Sequence, residues 1–162
     1  MKEKDFIIYP EEIEKVDKAL TKLIKGAEAK CVLLVDKDGH LITRQGFTHS
    51  LDTTALAALL AGSFASTKEI ARLVGEPEFS VLFHQGKKDH IHISLVGERS
   101  ILVIIFDDRT TIGMVRLYAK EISAELAEIL SKATTEERQQ EEKLSSDFKA
   151  SVENKLDDIF KD

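Results

Sequence analysis

Apolar residues near the start of the chain recur every three or four positions, which predicts an amphipathic helix. Pro10 suits the first turn of such a helix, and Gly26 is expected to end it. The next apolar residues form two short runs, at positions 31–36 and 40–44, on either side of Asp38-Gly39. Aspartate and glycine tolerate the backbone angles of a tight turn, so the two runs predict a β-hairpin.

A long helix is predicted next, from about Leu51 to Val74. Ser50 or Asp52 can serve as its N-cap, because short oxygen-bearing side chains accept hydrogen bonds from the first free N–H groups of a helix. Gly75 is expected to end the helix in the left-handed conformation that glycine adopts without strain.

Three strands follow this middle helix, at positions 79–84, 90–95 and 100–106. The first two alternate apolar and polar residues, whereas the third is apolar at nearly every position, which predicts that both of its faces are covered. A last long helix is predicted from Thr110 to about Ala133, where apolar residues again recur at helical spacing.

The whole pattern predicts an α/β fold of the α+β kind, in the order helix, hairpin, helix, three strands, helix. The first and fifth strands are apolar on both faces, so both belong in the middle of the sheet. Joining the hairpin and the three-stranded meander through them gives a five-stranded, mostly antiparallel sheet in the order 2-1-5-4-3, with helices on both faces. The third strand is then an exposed edge, and residues 1–133 are expected to form one domain.

The outer face of the middle helix is predicted to be apolar where a solvent-facing helix would be charged. At about 100° per residue, the side toward the sheet is predicted to hold Leu56, Leu59, Leu60, Thr67, Ile70, Ala71 and Val74. The opposite side is predicted to be a contact face made of Ala58, Ala61, Gly62, Ala65, Lys68, Glu69 and Arg72. Small residues let a second backbone approach closely, and a glycine inside a helix costs about 1 kcal/mol relative to alanine and so needs a packing reason.

Two interpretations of this contact face remain open. Alanines are good helix formers and need no partner to explain them. Alternatively, a two-fold homodimer pairs the exposed third strands edge to edge and packs the two middle helices side by side, which covers both surfaces at once. We predict the homodimer.

The C-terminal part of the chain changes character after residue 147. Residues 134–147 are polar with almost no apolar anchor, which indicates a linker or a solvated extension of the last helix. Residues 148–162 carry an apolar stripe at helical spacing, which predicts a C-terminal docking segment made of Phe148, Val152, Leu156, Ile159 and Phe160. A helix this short is marginal alone, so its stripe either docks on a partner or packs transiently on its own domain.

The bulk composition narrows the class of partner. The chain has 162 residues, of which 43% are hydrophobic and 32% charged, the balance of a folded globular protein. Its net charge of -6 leaves no basic surplus for a nucleic acid or an anionic membrane. No apolar stretch approaches the roughly 20 residues of a membrane span, and no secretory signal is visible after Met1. Direct membrane insertion is therefore not expected, and the expected compartment is the cytoplasm.

No group of residues predicts an active site. The single cysteine, Cys31, lies inside an apolar run and is predicted to be a core residue. His84, His90 and His92 are the strongest candidates for metal ligands. Neither a cysteine nor a carboxylate completes a ligand set with them. We therefore interpret them as the alternating polar residues of a solvent-facing strand. The acidic pairs Glu11-Glu12 and Asp107-Asp108 each have a helix-start explanation. The chain also lacks a P-loop and a nucleophile with a base, so we expect no catalytic residue, no metal and no cofactor.

Three segments carry a resemblance to a known family: LLVDKDGHLI at 33–42, DTTALAALLAG at 52–62 and LVIIFDDRTTIGMVRL at 102–117. Together with the order of the elements, they make the chain resemble the roadblock / dynein light chain family, and within it the bacterial regulators of cell polarity and gliding motility. The resemblance covers nearly the whole chain, and its most specific part runs from 106 to 117.

The resemblance implies a homodimer whose sheet continues across the two-fold axis and whose middle helices are the docking surface for a small Ras-like GTPase of the MglA type. It implies GTPase activation without an arginine supplied in trans, so the chain is expected to be a regulator and not an enzyme. It also implies a second contact through the C-terminal segment, which aids nucleotide exchange, and enrichment at a cell pole. The alternative is a scaffold dimer that binds a GTPase or a membrane complex without stimulating hydrolysis.

Overall fold

The structure is a computed structural model that describes residues 8–160, apart from the side chains of residues 133–138. The parts of the predicted domain and docking segment at 1–7 and 161–162 lie outside the described residues. Within 8–160 the chain forms three helices and five strands in the predicted order: α1 (Pro10–Ala27), β1 (Cys31–Asp36), β2 (Leu41–Gly46), α2 (Thr53–Val74), β3 (Val81–Gln85), β4 (His90–Val96), β5 (Ser100–Phe106) and α3 (Ile112–Phe160).

The five strands form one sheet in the predicted order β2-β1-β5-β4-β3, and every neighbouring pair is antiparallel. The prediction that β1 and β5 lie in the middle is confirmed, since residues 31–35 and 100–106 are all buried. In the described part of the chain β3 pairs with β4 only, so its other side carries N–H and C=O groups without a strand partner.

Helices cover both faces of the sheet, as the apolar character of β1 and β5 requires. α1 and α3 lie together on one face, in a cluster of buried residues that includes Leu20, Ile122 and Leu126. α2 covers the opposite face, where Leu60 and Phe64 belong to a second buried cluster. α2 and α3 are therefore on opposite sides of the sheet.

The start of α1 is as predicted, but its end is not. The helix continues through Gly26 to Ala27 and closes with Glu28 in the left-handed conformation, at φ 55°. Gly26 serves packing instead, because a Cβ at this position would lie 2.3 Å from a ring carbon of Tyr118 on α3. The prediction that Gly26 ends the helix is therefore wrong, and its missing side chain lets α1 and α3 come together.

The predicted C-terminal end of α2 is confirmed, and of the two predicted N-caps Asp52 is the one used, so the helix begins at Thr53, two residues after the predicted Leu51. Asp52 is the N-cap, and its carboxylate accepts a hydrogen bond from the N–H of Ala55 at 3.1 Å. Gly75 follows the last helical residue with φ 78°, and the N–H of Glu76 then donates to the carbonyl of Ala71.

α3 differs most from the prediction, which places its end near Ala133. It runs as one helix from Ile112 to Phe160, so the polar stretch at 134–147 is a helical extension and not a flexible linker. Glutamate, glutamine, lysine and arginine dominate this stretch, and as strong helix formers they supply no stop signal. Leu130 is the last residue of α3 described as buried, and we call residues 139–160, which span about 33 Å at 1.5 Å per residue, the arm.

None of the helices in the described part of the chain combines the length and the apolar character needed to cross a membrane. α3 has the length, but charged residues recur along it.

Candidate functional site

The inner side of α2 is set by seven buried residues: Thr53, Ala57, Leu60, Ala61, Phe64, Thr67 and Ala71. Apart from the adjacent Leu60 and Ala61, neighbours in this set are three or four positions apart, as one side of a helix requires. Ala61, predicted on the contact face, belongs to this buried side, so that assignment is wrong. Small residues take several of these buried positions, so large apolar side chains of α2 are left facing outward.

The outer side of α2 is consequently more apolar than the sequence pattern indicates. Leu59 is 70% exposed and Leu73 is 72% exposed, and Ile70 and Val74 are exposed as well. The prediction that Leu59, Ile70 and Val74 face the sheet is therefore wrong. The signal that could have placed them is Phe64, a buried aromatic residue that sets the phase of the helix and that the prediction leaves unassigned. Apolar surface of this kind is typical of a site that another protein covers.

The small residues predicted on the contact face, apart from Ala61, do lie on the outer side. Ala58, Gly62 and Ala65 are all exposed there. Apart from its chain neighbours and the adjacent backbone of α2, no described atom lies within 4 Å of the position that a Cβ of Gly62 would occupy, so no packing contact in the described part of the chain explains this glycine. We call the exposed side of the helix the α2 outer face, which comprises Ala58, Leu59, Gly62, Ala65, Lys68, Glu69, Ile70, Arg72, Leu73 and Val74.

Charged residues lie toward the C-terminal end of the α2 outer face. Lys68, Glu69 and Arg72 are exposed, as predicted. The Nε of Arg72 donates a hydrogen bond to Oε1 of Glu69 at 2.9 Å, which raises the pKa of the guanidinium. Lys68 has no ion-pair partner within the described part of the chain, so its charge is available to another protein.

The free edge of β3 is open to pairing with another strand. Val81 is exposed, and Leu82 and Phe83 are half-buried. Free edges are usually protected by lysine, proline or a bulge, and the five residues of β3 contain neither lysine nor proline. The edge is therefore a second surface suited to contact with another polypeptide.

The arm carries all the residues predicted as a docking segment, and each of them is exposed: Phe148, Val152, Leu156, Ile159 and Phe160. Leu144, one turn earlier and 69% exposed, extends the same stripe. The prediction misses Leu144 because it lies inside the polar stretch interpreted as linker or extension. Every arm side chain is exposed, so the arm does not pack on the described part of its own domain.

The histidines of β3 and β4 do not form a metal site. His90 and His92 are buried on the face of the sheet that carries α1 and α3, contrary to the expected solvent-facing strand, while His84 is in register with Ile91 on the opposite face. Nδ1 of His90 accepts a hydrogen bond from the N–H of Gly86 at 3.2 Å. No group of three metal-ligating side chains exists among the described residues.

His92 is the most buried of these histidines. It is 1% exposed, and neither ring nitrogen has a hydrogen-bond partner in the described structure. Burial, with a smaller effect from the positive charge of Arg116, lowers its pKa to about 4. The ring is therefore neutral near pH 7 and acts as a core side chain.

The remaining reactive candidates have structural roles. Oδ1 of Asp107 accepts hydrogen bonds from the backbone N–H and the Nε of Arg109, at 3.1 and 2.9 Å, and these bonds lower the pKa of the carboxyl. Cys31 is buried, and burial raises the pKa of its thiol to about 11, so it is protonated as a core residue should be.

The class of protein follows from the fold and its surfaces. A five-stranded antiparallel sheet in the order β2-β1-β5-β4-β3, with α1 and α3 on one face and α2 on the other, is the roadblock fold. The model of the Roadblock/LC7 domain family matches residues 15–106, more than half of the chain, so the chain belongs to this family. A comparison with curated proteins finds no match.

Three solved structures are similar over most of the chain. MglB of Myxococcus xanthus is 46% identical, with a TM-score of 0.74, over 78% of this chain and 96% of that one. The gliding protein MglB of Thermus thermophilus is 29% identical, with a TM-score of 0.75, over 81% of this chain and 99% of that one. A structure described as MglB with a tetrameric arrangement is 28% identical, with a TM-score of 0.76, over 81% and 98% of the two chains.

Proposed function

We propose that this chain regulates a small Ras-like GTPase of the MglA type, acting as a homodimer that accelerates GTP hydrolysis in cell polarity or gliding motility. The observation that carries the proposal is the exposed apolar α2 outer face, in a chain 46% identical to Myxococcus xanthus MglB. Such a face suits a protein partner, whereas an enzyme needs a concave site with reactive groups.

The β3 edge and the large residues of the α2 outer face support the homodimer. Two β3 strands related by a two-fold axis extend the sheet to ten strands and satisfy the backbone groups that are unpaired in one chain. Leu59, Ile70, Leu73 and Val74 supply apolar surface whose burial contributes about 25 cal/mol per Å². Both surfaces are then covered by one contact.

The small residues of the same face support docking of the GTPase on the paired α2 helices. Ala58, Gly62 and Ala65 permit close approach of a partner backbone, and Lys68, which has no ion-pair partner among the described residues, adds a positive charge beside them. A GTPase held there is expected to have its switch regions fixed in the conformation that hydrolyses GTP.

The arginines of the chain support activation without an arginine finger. A finger must be free to reach the phosphates in the partner's site. Three of the six arginines instead donate hydrogen bonds within their own chain, to Glu69, Asp107 and Thr53: Arg72, Arg109 and Arg44. We propose that the GTPase supplies its own catalytic groups, so that replacing the exposed Arg99 or Arg116 leaves hydrolysis unchanged.

The arm is proposed as the second contact with the GTPase, in a way that aids nucleotide exchange. An amphipathic helix with an exposed apolar stripe is suited to a hydrophobic groove on a partner. Phe148 and Phe160 are the first and last of the predicted docking residues, and they are the largest apolar side chains exposed on the arm.

A single-turnover GTP hydrolysis assay with the MglA-type GTPase of the same organism tests the proposal. The parent chain is expected to accelerate hydrolysis, and Ala65→Arg to abolish both acceleration and binding. Lys18→Ala, on the exposed side of α1 across the sheet, is the matched control and is expected to act as the parent does. Binding without acceleration would identify a scaffold dimer instead, and absence of binding would contradict both functions.

A further inference from the structure

The arm presents an apolar stripe with a regular four-residue step. Large apolar residues occupy every fourth position, with Ile159 beside the last of them: Leu144, Phe148, Val152, Leu156 and Phe160. At about 1.5 Å per residue, successive members of the stripe are about 6 Å apart along the helix. Each four-residue step turns the helix by about 40° beyond a full circle, so Phe148 and Leu156 lie about 40° to either side of Val152, and Leu144 and Phe160 about 80°.

Charged residues are distributed asymmetrically around this stripe. Lys149 and Lys155 lie about 60° from Val152, on opposite sides of it. Glu153 lies farther round on the side of Lys149, and Asp147 farther round on the side of Lys155. The edge of the stripe with Lys149 therefore carries Glu153 as well, whereas Asp147 lies about 140° from Val152, toward the back of the arm.

We propose that the arms of two copies of this chain pack against each other in antiparallel orientation, with the two-fold axis at Ser151. In this register each member of the stripe is displaced along the axis by about 3 Å from its neighbours on the other arm. The two stripes then interdigitate, which is the packing of four-residue ridges that gives the commonest class of helix crossing, at about −50°.

The same register pairs charges on one edge. Lys149 of one arm is level with Glu153 of the second copy, whereas Asp147, which is level with Lys155 of the second copy, lies about 140° from Val152 and faces away from the second copy. The two-fold axis repeats the Lys149–Glu153 pair, so two pairs of opposite charge form together. In a parallel pair each residue would be level with the identical residue of the second copy. The large side chains of the two stripes would then face each other instead of fitting into the spaces between one another.

A second copy is also the occupant that the shape of the arm favours. The arm continues α3 as one helix, so its stripe cannot turn back onto its own domain without breaking the helix. The pairing does not depend on the proposed function. Because the GTPase is proposed to use the same stripe, the two contacts exclude each other, and an excess of the GTPase is expected to dissociate paired arms.

Disulfide trapping in the full chain tests the pairing. In the antiparallel pair the cysteine of Val152→Cys faces the same cysteine of the second copy. It is expected to cross-link under mild oxidation at least tenfold faster than Ala150→Cys, a matched control on the side of the arm away from the stripe. Leu144→Cys lies about 21 Å from its counterpart in the antiparallel pair and is expected to react as slowly as the control. The natural Cys31 is buried and stays reduced in all variants. Equal rates for Val152→Cys and Ala150→Cys would overturn the pairing, and fast cross-linking of Leu144→Cys would overturn its orientation.

Charge exchange tests the register independently. In the Val152→Cys background, Lys149→Glu is expected to slow cross-linking at least threefold, because it sets two negative charges opposite each other. Adding Glu153→Lys restores opposite charges in the proposed register and is expected to restore the rate. A double variant that remains as slow as the single variant would overturn the register.

Discussion

Replacing His92 with leucine is expected to stabilise the folded chain. The imidazole is buried beneath α3 with no hydrogen-bond partner in the described structure, so its donor and its acceptor lose water on folding without compensation. An unpartnered buried polar group of this kind costs about 1–3 kcal/mol. Leucine has a similar volume and no polar atom, so the free energy of unfolding at pH 7.5 is expected to rise by about 1 kcal/mol.

The gain is expected to grow as the pH falls, because the pKa of His92 is about 4 in the folded chain, below its ordinary 6.5. Above pH 6.5 the ring is neutral in both states, and the gain is constant. Between pH 6.5 and pH 4 the unfolded parent binds a proton at this ring that the folded parent does not, so the parent loses stability. Since one pKa unit corresponds to about 1.4 kcal/mol, the loss reaches about 3 kcal/mol at pH 4.

Urea unfolding of the parent and of His92→Leu, followed by circular dichroism from pH 7.5 to pH 4, measures the difference. The other titrating groups are common to both proteins, so their contributions cancel in the difference. A fixed protein concentration keeps the contribution of association the same for both proteins. His84→Gln, at an exposed position on the neighbouring strand, controls for the loss of a histidine as such. Two stability curves that run parallel across this pH range would refute the reasoning.

Three further predictions concern packing, the α2 outer face and the arm. Gly26→Ala is expected to lower the free energy of unfolding by about 2 kcal/mol, because Tyr118 occupies the space that the new Cβ needs. Gly62→Ala is expected to raise the free energy of unfolding of the dilute monomer by about 1 kcal/mol. Urea titrations measure both changes. Ala65→Arg is expected to weaken GTPase binding at least tenfold with an unchanged circular dichroism spectrum, and affinity equal to the parent's would contradict the docking surface. Removing the residues after 138 is expected to leave the Tm within a few degrees, because no arm side chain is buried, and to weaken the GTPase complex; a large fall in Tm would show that the arm packs on its domain.

The order of the elements and of the strands could be predicted because their signals are local and repeated. β1 and β5 are apolar on both faces, and a sheet with two such strands has few other orders that cover them. Asp52 and Gly75 mark the ends of α2 because capping depends on the chemistry of single residues.

The orientation of α2 could not be fully predicted, because the depth to which a helix sinks on a sheet depends on the small residues beneath it. Ala57, Ala61 and Ala71 take the buried positions, and Leu59 and Ile70 are left outside. Periodicity gives the direction of an apolar side only to within about one residue, or roughly 100°.

The burial of His92 lies beyond the sequence for a related reason. Alternation in β4 shows that its two faces differ, but not that α3 covers the polar-looking one. The predicted α3 is too short because the prediction ends the helix where the sequence becomes polar. Residues with high helix propensity need no apolar face to continue a helix that is already nucleated.

The continuity of α3 bears on stoichiometry. A flexible linker would let the arm search the space around its own domain, but a helical rod holds its tip in one direction and at one distance. That rod starts on the face of the sheet opposite α2. A single GTPase that touches both the α2 outer face and the arm must therefore extend around the sheet, or take the two contacts from different protomers. In the second case one protomer supplies the α2 outer face and another supplies the arm, so only an assembly of this chain offers both contacts. The effect of the proposed activator on the GTPase should then depend on the concentration of the activator.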